Sequence, residues 1–298
     1  MKDFKNVWIF AEAQRGKLSP TAFELLTAGR KLADDLGEKL CAVLLGYQVE
    51  RFAQDLFARG ADVVYVCDDK ALENYVDDIY AKTLAGMIEA YKPNKFLLPA
   101  TNMGRSLSAK TAVFVGTGLT ADATDVLINP ADGQLHATRP TFGGNLMATI
   151  TCAHTRPEMC SLRPMSYEKA ALQAGRTGEV VKFPFDAAKY TSLAQFIKFI
   201  KSEGEGLDLS EAEVIVAGGR GVGKAEGFDL LKKLADRLGG AVAASRAPVD
   251  SGWIDYRYQI GLTGRTVKPK LYIACGISGQ IQHMAGMSGF AGGPDGRS

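Results

Sequence analysis

Short apolar runs alternate with helical segments over the first hundred residues, and this alternation constrains the fold more than any other feature of the chain. The runs lie at 6–11, 40–45, 63–66 and 96–98, and each has the length of a strand. Apolar strands separated by helices are typical of parallel βαβ units, in which helices cover both faces of the sheet. The sequence therefore predicts an α/β domain with a parallel sheet.

Residues between these runs carry helix boundary signals. Ser19 and Pro20 provide an N-cap followed by proline at the first helical position, and Gly37 is placed to end that helix. Further helices are predicted over 49–59 and 72–91.

The pattern changes after Thr120. Strand-like pieces at 122–128, 135–139, 146–154 and 159–163 are joined by short turns, and they are expected to add antiparallel strands to the same domain. The segment 196–201 suits either a strand or a helix.

A polar, glycine-rich segment follows at 202–206 and has the composition of a linker. The sequence predicts an N-terminal domain over 1–203, a linker over 204–210 and a smaller Rossmann-like domain over 211–298. In the smaller domain, strands are predicted at 212–217, 241–244 and 271–275, with a helix at 226–238. The linker composition also suits a second domain that swivels between docking positions.

Three loops follow the strands of this second domain, at 218–223, 245–248 and 276–279. Ligands of open α/β sheets bind at the carboxyl ends of the strands, and glycine allows backbone N–H groups to approach phosphate closely. Arg220 and Arg246 add positive charge at the same edge. A phosphorylated cofactor is the expected ligand, although any single loop could also be a simple tight turn.

The first loop resembles two nucleotide motifs without completing either. Residues 218–224 read G-x-x-x-x-G-K, but Ala225 follows where a P-loop needs a hydroxyl for magnesium. A third glycine is missing for G-x-G-x-x-G. An NTPase or an ordinary NAD site is therefore not predicted.

Composition excludes several other classes of function. The net charge is +2 and the basic residues form no run, which argues against a nucleic-acid surface or a polybasic membrane patch. No stretch is apolar over the ~18 residues of a membrane span. The five scattered cysteines and the absence of a signal-like start indicate the cytoplasm. Cys152, His154 and Cys160 match no zinc spacing, so core cysteines are expected there and no metal site.

Four blocks of the second part resemble the alpha subunits of electron transfer flavoproteins. These are Gly218-Gly219-Arg220-Gly221, Ala244-Ser245-Arg246-Ala247, Gln259-Ile260-Gly261-Leu262-Thr263-Gly264, and Gly276-Ile277-Ser278-Gly279-Gln280-Ile281-Gln282-His283. The block at 139–145 of the first part resembles the same family. The resemblance implies an FAD-binding second domain and a heterodimer with an electron transfer flavoprotein beta subunit.

The resemblance also implies roles for individual residues. Arg220 would lie against the flavin and pyrophosphate, Ser245 would bond a phosphate or the ring edge, and Arg246 would lie beside the isoalloxazine. Thr263 would donate towards flavin N5 or O4, and His283 would face the pyrimidine carbonyl O2. Ser278 and Gln282 would contact the ribityl–phosphate part. The remaining implied contacts are Gly221, Gln259, Gly261, Leu262, Gly276 and Gly279.

Two departures from the family pattern affect these expectations. Leu262 stands where the family usually has Gln, so one polar contact to the cofactor is expected to be lost. The family also continues beyond the last glycine block with a strand, an Asn-Lys-Asp-Pro-type segment and a helix, whereas here 290–298 show no such pattern. The sequence is therefore expected to be a form of the family that is shortened at the C-terminus, and whether this form binds FAD has to be tested.

The expected function is that of an electron carrier, which takes electrons from a dehydrogenase of the acyl-CoA class in fatty acid oxidation and passes them to another redox partner. One alternative is a subunit of an electron-bifurcating, NADH-linked flavoprotein. Another is a flavin-free subunit that only assembles with a beta partner. The sequence identifies neither the donor nor the acceptor.

Overall fold

The chain divides into two compact units in the computed structural model, which describes residues 3–141, 146–199, 209 and 212–287. The first unit contains the described residues up to Pro140 and those from Met147 to Phe199. The second contains the described residues from Leu209 onward, and Thr141 and Leu146 are also assigned to it. Apart from Leu209, the predicted linker 204–210 lies outside the described residues, and so do residues 142–145 and the tail 290–298.

The first unit contains strands and helices in the alternating order that the sequence predicts. Its strands are β1 (Val7–Phe10), β2 (Ala13–Gln14), β3 (Lys17–Leu18), β4 (Leu40–Gly46), β5 (Val63–Asp68), β6 (Lys95–Pro99), β7 (Leu119–Ala123), β8 (Asp125–Ile128), β9 (Leu135–Thr141), β10 (Leu146–Ile150), β11 (Glu158–Leu162) and β12 (Glu179–Lys182). Its helices are α1 (Pro20–Leu36), α2 (Ala53–Phe57), α3 (Asp77–Tyr91) and α4 (Asn102–Val115).

Seven of the described strands form one sheet in the order β12-β5-β4-β1-β6-β11-β7, and its strand pairs run parallel. Side chains of β1 alternate between two cores: Ile9 packs with α1 on one face, and Trp8 packs with α3 and α4 on the other. Both sheet faces are thus covered, which confirms the predicted α/β class. Helix α1 begins at Pro20 and ends at Gly37 in the left-handed conformation, as predicted.

Several local predictions are wrong. Residues 159–163 were expected to add an antiparallel strand, but β11 pairs in parallel with both β6 and β7. Antiparallel pairing is found between β8 and β9 of the separate small sheet β10-β9-β8, and between the short strands β2 and β3. The helix predicted over 72–91 starts only at Asp77, and residues 70–72 form a separate 3₁₀ turn capped by the Asp69 carboxylate. The described part of 196–201 is neither helix nor strand.

Two buried polar pairs hold the strands of this unit. The Lys95 ammonium and the Glu158 carboxylate are 2.9 Å apart and almost fully buried, and the Arg156 guanidinium lies 2.8 Å from the same carboxylate. At the opposite edge of the sheet, the buried Glu12 carboxylate accepts a hydrogen bond from the Thr101 hydroxyl. Burial raises the pKa of Glu12, while that hydrogen bond acts in the opposite direction.

The second unit contains β13 (Val214–Gly218), β14 (Ala241–Ala244) and β15 (Leu271–Cys275), with α5 (Gly227–Arg237), α6 (Arg246–Asp250) and α7 (Ile281–Met284). Its three described strands run parallel in the order β14-β13-β15. Phe228 and Leu231 of α5 pack against Gly218, whose missing side chain leaves the space they fill. Across both units, no described helix is long and apolar enough to cross a membrane.

Candidate functional site

The loops after β13 and β15 pack against each other at the carboxyl edge of the second sheet. The Gly219 N–H donates to the Cys275 carbonyl at 2.8 Å, and the Gly221 N–H donates to the Gly276 carbonyl at 3.0 Å. A Cβ at Gly219 would lie 2.2 Å from the Gly276 oxygen, so a side chain cannot be accommodated there. Gly276 itself has φ +64°, which favours glycine. The glycines therefore permit close contact between two backbones.

The loop after β14 joins the same edge. The Ser245 N–H donates to the Gly218 carbonyl at 3.0 Å, which ties this loop to the end of β13. Arg246 starts α6 and its Nε lies 3.2 Å from the Asp250 carboxylate, but both side chains are largely exposed. Residues 245–248, predicted as a loop, thus become helical after Ser245. Arg220 is also exposed, so two guanidinium groups remain available at this edge.

The segment from Tyr256 to Arg265 closes the site beside β14. The Ile260 N–H donates to the Ala244 carbonyl at 2.9 Å, and the Leu262 N–H donates to the Gln282 carbonyl at 2.8 Å. Residues 256–258 form a 3₁₀ turn. Gly261 has φ +143° and lies so close to the Gln282 carbonyl that a Cβ there would be 2.7 Å from it. The predicted blocks 259–264 and 276–283 are therefore in direct contact.

His283 is turned inward and both of its ring nitrogens are hydrogen-bonded. Nδ1 lies 3.0 Å from the Ile260 carbonyl, and Nε2 lies 2.8 Å from the Tyr272 hydroxyl. A carbonyl can only accept, so Nδ1 carries the proton and Nε2 accepts from Tyr272 in the neutral ring. Burial lowers the pKa of His283, and the bond to Ile260 acts in the opposite direction. The histidine is therefore held neutral in one tautomer.

The predicted residues fall into two groups. Arg220, Gly221, Arg246, Leu262, Thr263, Ser278, Gly279 and Gln282 are exposed around the edge, and Gly276 is exposed with them. Gln259 and His283, in contrast, are only 2% and 6% exposed, Gly261 is also buried, and Ser245 is half-buried. Tyr272, which has no predicted role, lies in a strand 11 residues before its partner His283. Its only sequence signal is a polar group within an otherwise apolar strand.

These features suit a phosphorylated, ring-containing cofactor. Glycine loops expose backbone at the end of a parallel sheet, and two guanidinium groups provide charge for a pyrophosphate. The exposed hydroxyls of Thr263 and Ser278 supply neutral donors or acceptors for the rest of such a ligand. The described residues contain no cluster of His, Cys, Asp and Glu that could hold a metal ion.

Comparison with known proteins gives two family matches. Residues 7–188 match the electron transfer flavoprotein domain, and residues 208–288 match the electron transfer flavoprotein FAD-binding domain. The chain is 49% identical to the electron transfer flavoprotein subunit alpha of Thermoanaerobacterium thermosaccharolyticum, over 97% of this chain and 87% of that protein. It is 48% identical to the protein FixB of Clostridium saccharobutylicum, over 96% and 85%. It is 42% identical to the acryloyl-CoA reductase electron transfer subunit beta of Anaerotignum propionicum, over 96% and 86%.

Proposed function

Since the chain belongs to the electron transfer flavoprotein alpha-subunit family and its second unit is an FAD-binding domain, we propose that it carries electrons between a dehydrogenase and a second redox protein. The observation that carries the proposal is the convergence of three loops, two of them glycine-rich, at the carboxyl edge of β13, β14 and β15. FAD supplies the electron-accepting chemistry when it is bound. The protein supplies binding, orientation and electrostatic tuning.

We propose that the residues of the three loops and of the segment beside β14 hold FAD. Arg220 and Arg246 would neutralise phosphate charge, and Arg246 would also lie beside the ring system. Ser245 and Ser278 would bond phosphate or ribityl oxygens. The other proposed contacts are Gly221, Gly261, Leu262, Thr263, Gly276, Gly279 and Gln282. Leu262 can contribute an apolar surface but no N–H donor, because its N–H already donates to the Gln282 carbonyl.

The buried residues of the site act on the charge of the bound ring. Donors and positive groups near a ring that gains negative charge stabilise the reduced form. In the proposed role His283 faces the pyrimidine carbonyl, and its Nε2 is the atom that now accepts from Tyr272. To donate from Nε2, His283 must gain a proton there. Because the Tyr272 oxygen would accept that proton at the same short contact, donation from Nε2 to a flavin carbonyl also requires the Tyr272 hydroxyl to move away.

We propose a beta-type subunit as the partner in a heterodimer, and a dehydrogenase of the acyl-CoA class as the electron donor. The name of the Anaerotignum relative associates that protein with a reductase of a CoA thioester, which supports a partner of the acyl-CoA class, although a reductase would take electrons from the flavoprotein and not donate them. A purified acyl-CoA dehydrogenase with its substrate should reduce the heterodimer's flavin. If an FAD-loaded heterodimer is not reduced, the proposed class of electron donor is wrong, while the proposal that the chain binds FAD is unaffected.

The test of the function is the FAD content of this chain purified with a beta-type subunit. FAD released from the complex should be counted by its visible absorbance, for the wild type and for Gly276→Val. The valine would force a β-carbon to within 2.6 Å of the Gly221 backbone, so FAD assigned to this chain should be lost. Leu271→Val, at the exposed amino end of the same strand, is the matched control and should keep FAD.

Unchanged FAD in the Gly276→Val complex would assign the cofactor to the other subunit. A wild-type complex that assembles without FAD would favour the flavin-free assembly role and overturn the proposal.

A further inference from the structure

A buried amide lies directly beneath an exposed hydroxyl in the loop beside β14. Gln259 is 2% exposed, and its Nε2 lies 2.9 Å from the hydroxyl oxygen of the exposed Thr263. The two residues are four positions apart, within a loop that the Arg265 N–H closes by donating to the Gln259 carbonyl at 2.8 Å. Gln259 therefore contacts the site through Thr263.

The chemistry of the amide decides which way the hydroxyl points. An amide nitrogen donates and does not accept, so the Thr263 oxygen must be the acceptor in this bond. The single hydroxyl proton of Thr263 is then directed away from Gln259. The Tyr256 hydroxyl donates to the Thr263 carbonyl, so both oxygens of Thr263 accept from the protein. Among the described residues, no acceptor is found for the hydroxyl proton of Thr263.

The loop geometry fixes this arrangement. A Cβ at Gly264 would lie 2.4 Å from the Gln259 carbonyl oxygen and 3.0 Å from its Cγ, so the backbone passes directly over the glutamine side chain. The Gly264 N–H donates to the Gly261 carbonyl at 3.0 Å. Gln259 cannot leave its position without opening the turn that presents Thr263.

We infer that Gln259 is a positioning residue that does not touch the cofactor, and that it orients the Thr263 hydroxyl as an outward donor. The acceptor it fits is a ring nitrogen or ring carbonyl at the edge of a flavin, and this identification rests on the proposed function. Accepting a bond from Gln259 also strengthens the Thr263 hydroxyl as a donor, because hydrogen bonds in a chain polarise one another. The sequence resemblance had included Gln259 among direct contacts.

The bond between Gln259 and Thr263 is tested without FAD. The side-chain amide protons of Gln259 should be observed by ¹⁵N–¹H NMR of the apo-protein and assigned by their absence in Gln259→Met. Thr263→Val keeps the side-chain shape and removes the acceptor, so one Gln259 amide proton should shift and exchange faster. Thr263→Ser should leave it unchanged. An unshifted resonance in Thr263→Val would overturn the inference whatever FAD does.

The positioning role is tested by a double-mutant cycle on FAD affinity in the complex with a beta-type subunit. At a pH where it is ionised, the carboxylate of Gln259→Glu accepts the Thr263 proton and reverses the hydroxyl. We expect the FAD dissociation constant to rise roughly threefold to tenfold, which corresponds to the net free energy of one neutral hydrogen bond. In a Thr263→Val background the same change should have an effect below about twofold.

An equal effect of Gln259→Glu in both backgrounds would mean that Gln259 acts directly or through the fold, and would overturn the inference. If the Gln259→Glu variant does not fold, the Gln259→Met variant is used in the cycle instead. The midpoint potential of the bound flavin should follow the same non-additive pattern, which a general loosening of the loop would not produce. A wild-type complex without FAD would refute the proposed function and leave the NMR result standing.

Discussion

Tyr272→Phe is the most informative single change, because it removes one oxygen atom and keeps the ring that fills the core. The Tyr272 hydroxyl lies 2.8 Å from Nε2 of His283, and the Ile260 carbonyl occupies the other ring nitrogen. His283 is 6% exposed, so water cannot readily replace the lost donor. The variant leaves an unsatisfied acceptor inside the second unit.

The expected magnitude follows from that burial. An unsatisfied buried acceptor costs about 1–3 kcal/mol, whereas changes away from such features stay within about 0.5 kcal/mol. The chain has two units and need not unfold in one step, so a local measurement is required. Hydrogen exchange at the Leu262 amide, which donates to the residue before His283, should become roughly 5 to 150 times faster.

The matched control is Tyr258→Phe, a half-buried tyrosine of the same unit whose hydroxyl has no partner among the described residues. Its exchange rates should stay within about twofold of the wild type. His283→Asn keeps a donor for the Ile260 carbonyl and loses the contact with Tyr272. In that background the effect of Tyr272→Phe should largely disappear. Equal exchange in Tyr272→Phe and the control would refute the assigned hydrogen bond.

Further predictions concern the pH dependence of stability, the buried ion pair and the glycine contact. His283 binds its proton less tightly when folded, so its contribution is complete above pH ~6.5 and is lost as the pH falls towards the lowered pKa; His283→Asn should flatten urea-unfolding free energies over that range. The pH dependence from Glu12 runs the other way. Burial raises the pKa of Glu12, so its contribution to the free energy of unfolding is complete below pH ~4.5 and is lost as the pH rises through the raised pKa. Glu12→Gln should abolish that loss in the same assay. Lys95→Met removes one of the two cations that contact the buried Glu158 carboxylate, since Arg156 remains 2.8 Å away, and should destabilise the first unit by about 1.5–3 kcal/mol in urea unfolding. Gly219→Ala would place a Cβ 2.2 Å from the carbonyl of the facing loop and should reduce FAD content measured by absorbance, with far-UV circular dichroism showing that the fold remains.

The parallel sheet could be predicted from sequence because its buried strands carry local signals. Runs such as 40–45 are apolar throughout, and Pro20 and Gly37 mark the ends of a helix. Strand pairing has no such local signal. The partners of β11 are β6 and β7, which lie tens of residues earlier, and a short strand does not by itself specify whether its neighbours run parallel or antiparallel. Helix α4 was also missed, because its buried positions include a glycine, a serine and a threonine.

The candidate site was predictable in part for a similar reason. Glycines after strands are local signals, and the contact between Gly219 and Gly276 gives them a physical cause. The roles of the polar side chains are not local. Nothing in the order of residues indicates that Tyr272 donates to His283, or that Gln259 turns towards Thr263. Those roles depend on how separate loops meet at the edge of the sheet.

The site therefore contains two kinds of polar residue, and they should respond differently to substitution. Arg220 and Arg246 are exposed, so removing either should weaken the binding of a charged ligand without changing the loop around it. Gln259 and His283 are buried, and each uses its hydrogen bonds within the protein. Substituting a buried residue alters the donor or acceptor state of its neighbour, so its effect should depend on that neighbour. Non-additivity, more than the size of any single effect, distinguishes the residues that hold a ligand from those that orient the groups that hold it.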